Sequence, residues 1–125
     1  KIIGVLVAFI AIVIVLAFTL TSGVAGAGDD FMVDISGGNY EAAYDSTADS
    51  FKEITGYEEF AAAMEYYEFN LYSEHIWNSR AVENNIGILV GTTTLSDGTI
   101  YSLEMEFIKA DGDWEMTYFS VTPTN

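Results

Sequence analysis

The sequence is poor in the residue types that usually build catalytic and cofactor sites. Its 125 residues include no cysteine, a single histidine and only four basic residues. Without a thiol there is no disulfide and no thiolate ligand, and one histidine gives no support for a zinc or haem site. No glycine-rich phosphate loop occurs, so nucleotide binding lacks support as well. The sequence therefore predicts neither a metal nor a cofactor.

The scarcity of basic residues also restricts the partners. Residues 29–125 hold all nineteen acidic residues and three basic ones (Lys52, Arg80 and Lys109), which gives this part a formal charge of −16. Nucleic acids and anionic lipid headgroups would be repelled by such a surface. We therefore predict no nucleic-acid partner, while high salt, cations or basic partners suit the surface.

Charged residues are absent altogether from residues 2–28. Residues 2–20 are almost entirely aliphatic or aromatic, and a helix of about 20 residues spans the roughly 30 Å of a bilayer core. Because a helix that is hydrophobic on all sides is buried in lipid or in protein, residues 1–22 are predicted to form a transmembrane or filament-core helix. We call these residues the apolar segment. Lys1 is the one positive charge near it, which predicts a cytoplasmic N-terminus and a head at the cell surface or outside the cell.

Small residues in the apolar segment indicate helix association. Gly4 and Ala8 form a small-xxx-small pair that permits close approach, so we predict a homo-oligomer formed through this helix. The positions predicted to face neighbouring helices are Ile3, Gly4, Val7, Ala8, Ala11, Ile14, Val15 and Phe18.

Residues 23–28 follow the apolar segment and contain Gly23, Gly26 and Gly28. Because glycines weaken a helix, these residues are predicted to form a hinge, as a flexible neck or a kink.

The remaining residues, 29–125, are predicted to form one acidic head with α+β architecture. A short helix precedes Gly37, and a second one is predicted from apolar residues at helical spacing, namely Tyr40, Ala43, Tyr44, Thr47, Ala48 and Phe51. Thr55 with Glu58 is typical of a capping box, which predicts a third helix with an inward face of Phe60, Met64, Tyr67 and Leu71.

The second half of the head changes to the period of two that is typical of strands. The pairs Asp97-Gly98 and Asp111-Gly112 lie between alternating runs and predict tight hairpins. The strand between them places an apolar face inward, formed by Tyr101, Leu103, Met105 and Phe107. Two to three helices packed on a curved antiparallel sheet of about four strands are therefore expected.

Two stretches of the head resemble the nuclear transport factor two-like (cystatin-like) superfold. They are GGNYEAAYDSTADSFKEITGYEEF at residues 37–60 and DGDWEMTYFSV at residues 111–121. The resemblance implies that helices enclose a cone with the sheet. The overall layout, an N-terminal hydrophobic helix followed by a small head, resembles type IV pilins and related archaeal surface-filament subunits, which implies helices packed in a filament core. A superfold hosts many functions, so only a site decides among them.

Candidate catalytic and metal-binding residues are few. His75 is beside Trp77 on a predicted strand, and we interpret it as a surface or satisfied core residue. Asp111, Asp113 and Glu115 offer oxygen ligands but lack the twelve-residue spacing of a calcium loop, so we interpret them as a solvated turn. We therefore predict no catalytic residues, no metal site and no enzymatic activity.

Two functions from different classes remain. The first is a structural subunit that assembles through the apolar segment into a cell-surface filament with acidic heads outside. The second is a membrane-anchored extracytoplasmic module whose cone binds a small ligand or protein partner. Its candidate wall residues are Tyr44, Phe60, Met64, Trp77 and Tyr101, although filling the core is their expected task. An anchored enzyme ranks third.

Overall fold

The structure, a computed structural model, describes residues 22–124. The helices are α1 (22–36), α2 (Tyr40–Asp45), α3 (Asp49–Ile54) and α4 (Tyr57–Tyr66), followed by a 3₁₀ turn at Phe69–Leu71. The strands are β1 (Tyr72–Glu83), β2 (Ile86–Leu95), β3 (Ile100–Ala110) and β4 (Asp113–Pro123). Helices therefore precede strands, which confirms the α+β class.

The sheet is an antiparallel meander in the order β1-β2-β3-β4. Both predicted hairpins lie where expected, because Gly98 and Gly112 adopt φ values of 91° and 87°, which tight turns require and glycine tolerates. A third hairpin turns at Asn84 and Asn85, both with positive φ. Register shifts in β1 and β4 bend the sheet into a trough.

Helix α1 lies in this trough and provides much of the core. Val24, Phe31, Met32 and Ile35 are buried on its inner face. The inward residues of β3 are buried as predicted for Leu103, Met105 and Phe107, and half-buried for Tyr101. The concave side of the sheet is thus filled by the chain's own helix.

The predicted single helix over 40–51 is wrong, because the structure divides it into α2 and α3. At the break, Thr47 forms a bridge with Met116, and the Ala48 amide donates a 2.8 Å hydrogen bond to the Met116 carbonyl oxygen. Thr47 and Ala48 therefore pair with β4 instead of continuing the helix. The predicted capping box is also wrong, since α4 begins after Gly56 and no side chain caps it.

The predicted hinge glycines lie inside α1 rather than in a flexible neck. A Cβ on Gly28 would lie 2.5 Å from Leu89 Cδ1, and one on Gly87 of β2 would lie 2.6 Å from Val24 Cγ2. These two glycines, one in each layer, let the helix approach the sheet closely. Local propensity for flexibility is overridden here by close packing.

The apolar segment, apart from Ser22, and its predicted assembly positions lie outside the described residues. Within residues 22–124, none of the helices combines the length and apolar character needed to cross a membrane.

Candidate functional site

The five predicted wall residues surround the core at separate places instead of lining one chamber. Phe60 and Met64 are buried on α4, and the Tyr44 hydroxyl donates a 2.7 Å hydrogen bond to the Thr55 carbonyl oxygen. Trp77 packs beside Gly28 on one side, and Tyr101 contacts the aromatic rings after α4 on the other. These residues form the walls of a packed core.

Aromatic rings occupy the centre of the cone. Phe31 of α1 makes edge-to-face contacts with Phe60, at 6.0 Å between centroids, and with Phe119, at 5.2 Å. Phe69 extends the group with a 6.3 Å separation from Phe119. Such pairs favour a single, well-packed arrangement and leave no room for a ligand among these rings.

A small cavity remains between α1 and the β4 side of the sheet. It has a volume of about 130 Å³ and is lined by Ala27, Asp30, Phe31, Asp34, Ser46, Phe107, Trp114 and Met116. An open groove of about 570 Å³ shares Ala27, Asp30, Ser46 and Trp114 with it and runs toward Ser22. Ligand pockets usually measure roughly 300–1,000 Å³, so of these two spaces the open groove has ligand dimensions and the small cavity does not.

The described residue set with the most specific polar geometry is a cluster that joins α1 to β1. Asp29 Oδ1 accepts hydrogen bonds from Trp77 Nε1 at 2.8 Å and from His75 Nε2 at 2.6 Å. The Tyr72 hydroxyl lies 2.6 Å from His75 Nδ1, so a neutral imidazole that accepts from the phenol satisfies every partner. The His75 side chain is 11% exposed, whereas that of Asp29 is 51% exposed.

The electrostatics of this cluster keep the Tyr72 phenol protonated. Burial raises the pKa of the Tyr72 phenol, and the nearby carboxylates of Asp29 and Glu74 raise it further. The phenol therefore stays protonated at neutral pH and acts as a hydrogen-bond donor. A nucleophile or general base would require the opposite shift.

Sequence reasoning identified only part of this cluster. His75 and Trp77 are two residues apart on one face of a strand, which is visible from the alternation of β1. Asp29, by contrast, is 46 residues away along the chain from His75. No local pattern connects them, because the contact exists only when α1 lies in the trough.

The acidic run at the last hairpin does not form a cage of ligands. Asp111 lies in the turn, whereas Asp113 and Glu115 belong to β4 and pair with Ala110 and Ile108. Among residues 22–124, no group of three acidic, histidine or cysteine side chains is arranged to hold a metal ion.

No protein-family model matches this chain, and no curated protein matches it by sequence. Among solved structures it is similar to a protein from Xanthomonas campestris described as a calcium/calmodulin-dependent protein kinase II association domain. The two are 15% identical with a TM-score of 0.57, over 81% of this chain and 85% of the other.

At this identity the likeness concerns the fold alone. The head has a nuclear transport factor two-like fold, as its motifs predict. The comparisons give no support to the pilin-like layout.

Proposed function

We propose that this chain is a non-catalytic structural subunit that self-assembles through its apolar segment into a cell-surface filament, with the acidic heads outside. The observation that carries the proposal is the packing of α1 on the sheet, because α1 directly follows the apolar segment in the chain. Residue 22 already belongs to α1, and α1 is buried along the trough of the sheet. A subunit that bears load needs such a joint, whereas a swinging tether needs a flexible one.

The joint is held at two places along α1. At its start, the Gly23 Cα lies so close to Trp114 that an added Cβ would be 3.0 Å from the indole nitrogen. Val24 is fully buried next to Gly87. Five residues further along the chain, Asp29 receives hydrogen bonds from His75 and Trp77. Movement of α1 would therefore be transmitted to the sheet.

Three further observations support a structural role over ligand chemistry. The centre of the cone is filled by phenylalanine rings, as described above. The similar solved structure is described as an association domain, which supports self-association as a use of this fold. The acidic surface suits an outer shell in contact with cations or salt water.

Electron microscopy of the full chain without detergent tests this proposal. We expect regular filaments from the unaltered protein and none from Val13→Asp, because a carboxylate buried among packed apolar helices is strongly unfavourable. Ala8→Leu should also disrupt the filaments, because it removes a small residue from the predicted contact face. Ile54→Asp is the matched control, since Ile54 is an exposed residue of the head.

Intact filaments from Val13→Asp would contradict assembly through the segment. Dispersed particles that require detergent would favour the second candidate, a membrane-anchored binding module. The open groove of about 570 Å³ beside α1 is the observation that favours this candidate, because it has the dimensions of a ligand site.

A further inference from the structure

The outer face of the sheet carries an apolar patch at one end. We define the outer patch as Ile86, Ile88, Val90, Ile108 and Tyr118. Strand register brings them together, because Ile86 pairs with Ile108, and Ile88 and Tyr118 both pair with Glu106. Val90, Ile108, Tyr118 and Ile86 remain 38%, 42%, 44% and 50% exposed with residues 22–124 in place. A shallow groove of about 370 Å³ adjoins them at the β1–β2 hairpin.

The rest of the outer face is different in character. Its opposite half carries hydroxyl side chains in register across three strands, Thr92, Ser102 and Thr122. Ile76 of β1 pairs with Thr92 at the end of this row, Ile100 lies two residues from Ser102 on β3, and both are exposed. Isolated apolar residues of this kind are ordinary on protein surfaces. The apolar character is thus concentrated at the hairpin end.

The hairpin end is also where the apolar segment joins the head. Val24 packs on Gly87, the residue after Ile86. Gly23 lies beside Trp114, and Trp114 pairs with Lys109, the residue after Ile108. Residue 22 is on the concave side of the sheet, however, and the outer patch is on the convex side. A chain's own segment would have to turn around the end of the sheet to reach its patch, whereas a neighbouring copy's segment would not.

The area of the patch decides between a second head and a helix. The patch extends over five residues along β2 and over three strands, β2 to β4, which is roughly 17 Å by 14 Å, or about 240 Å². A stable complex of two heads needs about 800 Å² from each partner, more than twice this area. A helix about 10 Å wide would cover most of the patch with about three turns.

Charge points to the same occupant. Glu83 pairs with Ile86, Glu115 pairs with Ile108, and Glu106 lies between Ile88 and Tyr118, so acidic side chains border and divide the patch. Two heads placed face to face would bring these like charges together in a partly desolvated interface. The apolar segment has no charge after Lys1, so it can cover the isoleucines without that repulsion.

We propose that the outer patch binds the apolar segment of a neighbouring copy in the assembly. This inference rests on the proposed self-assembly and identifies the surface of the head that takes part. In this arrangement the neighbour's segment packs against other segments and also against the outer patch. Each head then covers the part of a neighbour's segment that lies next to that head.

Cysteine cross-linking tests the contact directly, because the natural chain has no cysteine. The full chain would carry Ile108→Cys together with one cysteine at Val13, Ile14, Val15 or Leu16, four positions that cover all faces of a helix. Disulfides need Cα atoms about 4.4–6.8 Å apart. Ser102→Cys is the matched control, because it lies on the same strand and face about 20 Å away. Val90→Cys is a second reporter if Ile108→Cys impairs folding.

With Ile108→Cys and a cysteine in the segment, we expect a ladder of covalent oligomers. With Ser102→Cys in place of Ile108→Cys, we expect no ladder. Covalent dimers from Ile108→Cys alone would overturn the inference in favour of two heads face to face. A looped monomer would overturn it in favour of the chain's own segment. Filaments without cross-links would overturn it while leaving the proposed function intact, and the absence of any assembly would refute both.

Discussion

Two glycines of α1, two positions apart, provide a matched test of how this helix packs. A methyl group added at Gly28 would lie 2.5 Å from Leu89 Cδ1 and 2.8 Å from Trp77 Cζ2. Leu89 is fully buried, so a shift of its side chain would press on other core atoms. A methyl group added at Gly26 would meet nothing within 4 Å.

The expected magnitudes follow from this geometry. Both substitutions to alanine gain helix propensity, about 1 kcal/mol each. Only Gly28→Ala also overpacks the core, which costs about 1–3 kcal/mol. The propensity gain cancels in the comparison, so Gly28→Ala should be less stable than Gly26→Ala by about 1–3 kcal/mol, or at least about 4 °C in Tm for a domain of this size.

Tryptophan fluorescence during urea unfolding of the full chain is a suitable assay. The chain has two tryptophans, and both contact α1, because Trp77 lies against Gly28 and Trp114 lies against Gly23. Equal shifts from the two variants would refute the packed joint and restore the flexible neck predicted from the glycines. A stabilised Gly28→Ala would refute it as well.

Three other predictions concern the core, the polar cluster and the surface charge. Phe31→Ala should destabilise the head by about 3–5 kcal/mol in the same urea titration, because it removes a buried ring from the aromatic centre. The control Val33→Ala, on the exposed face of α1, should change the free energy of unfolding by less than about 0.5 kcal/mol. Because the pKa of Tyr72 is raised, the folded state holds the phenol proton more tightly than the unfolded state does. The stability that this proton contributes is fully present below about pH 10 and is lost as pH rises through the folded pKa. Tyr72→Phe should therefore reduce the loss of stability between about pH 9 and about pH 11.5, and an unchanged pH profile would contradict this. Assembly measured by light scattering should increase between about 10 mM and 1 M NaCl, because the Debye length falls from about 30 Å to 3 Å and repulsion between acidic heads is screened. Assembly that weakens with salt would contradict assembly through apolar contacts.

The parts of the fold that could be predicted from the sequence depend on local chemistry. The hairpins at Gly98 and Gly112 are specified by adjacent residues, since an Asp-Gly pair between alternating runs has few other conformations. The inward face of β3 follows from a period of two. Both features need no knowledge of distant residues, and both are confirmed.

The errors occur where a distant element changes a local preference. Residues 40–51 have helical spacing throughout, yet pairing of Thr47 with Met116 interrupts the helix. Gly28 weakens an isolated helix, but contact with Leu89 makes it the residue that fits. The Asp29–His75 contact is of the same kind, because it forms only after helix and sheet have packed.

Charge and apolar surface are arranged in this chain in a way that suits the proposed assembly. Repulsion between heads of charge −16 weakens beyond a Debye length, about 8 Å in physiological salt, so it limits how closely heads approach and has little effect between distant subunits. Burial of apolar surface acts only at contact, and the outer patch at the hairpin end is close to the segment that needs burial. Heads held apart by charge and segments held together by burial are compatible only if the joint between them is rigid. If α1 were loose, the heads would rotate away from neighbouring segments and leave the outer patch exposed to water. The stability difference between Gly26→Ala and Gly28→Ala therefore bears on the assembly as well as on the fold.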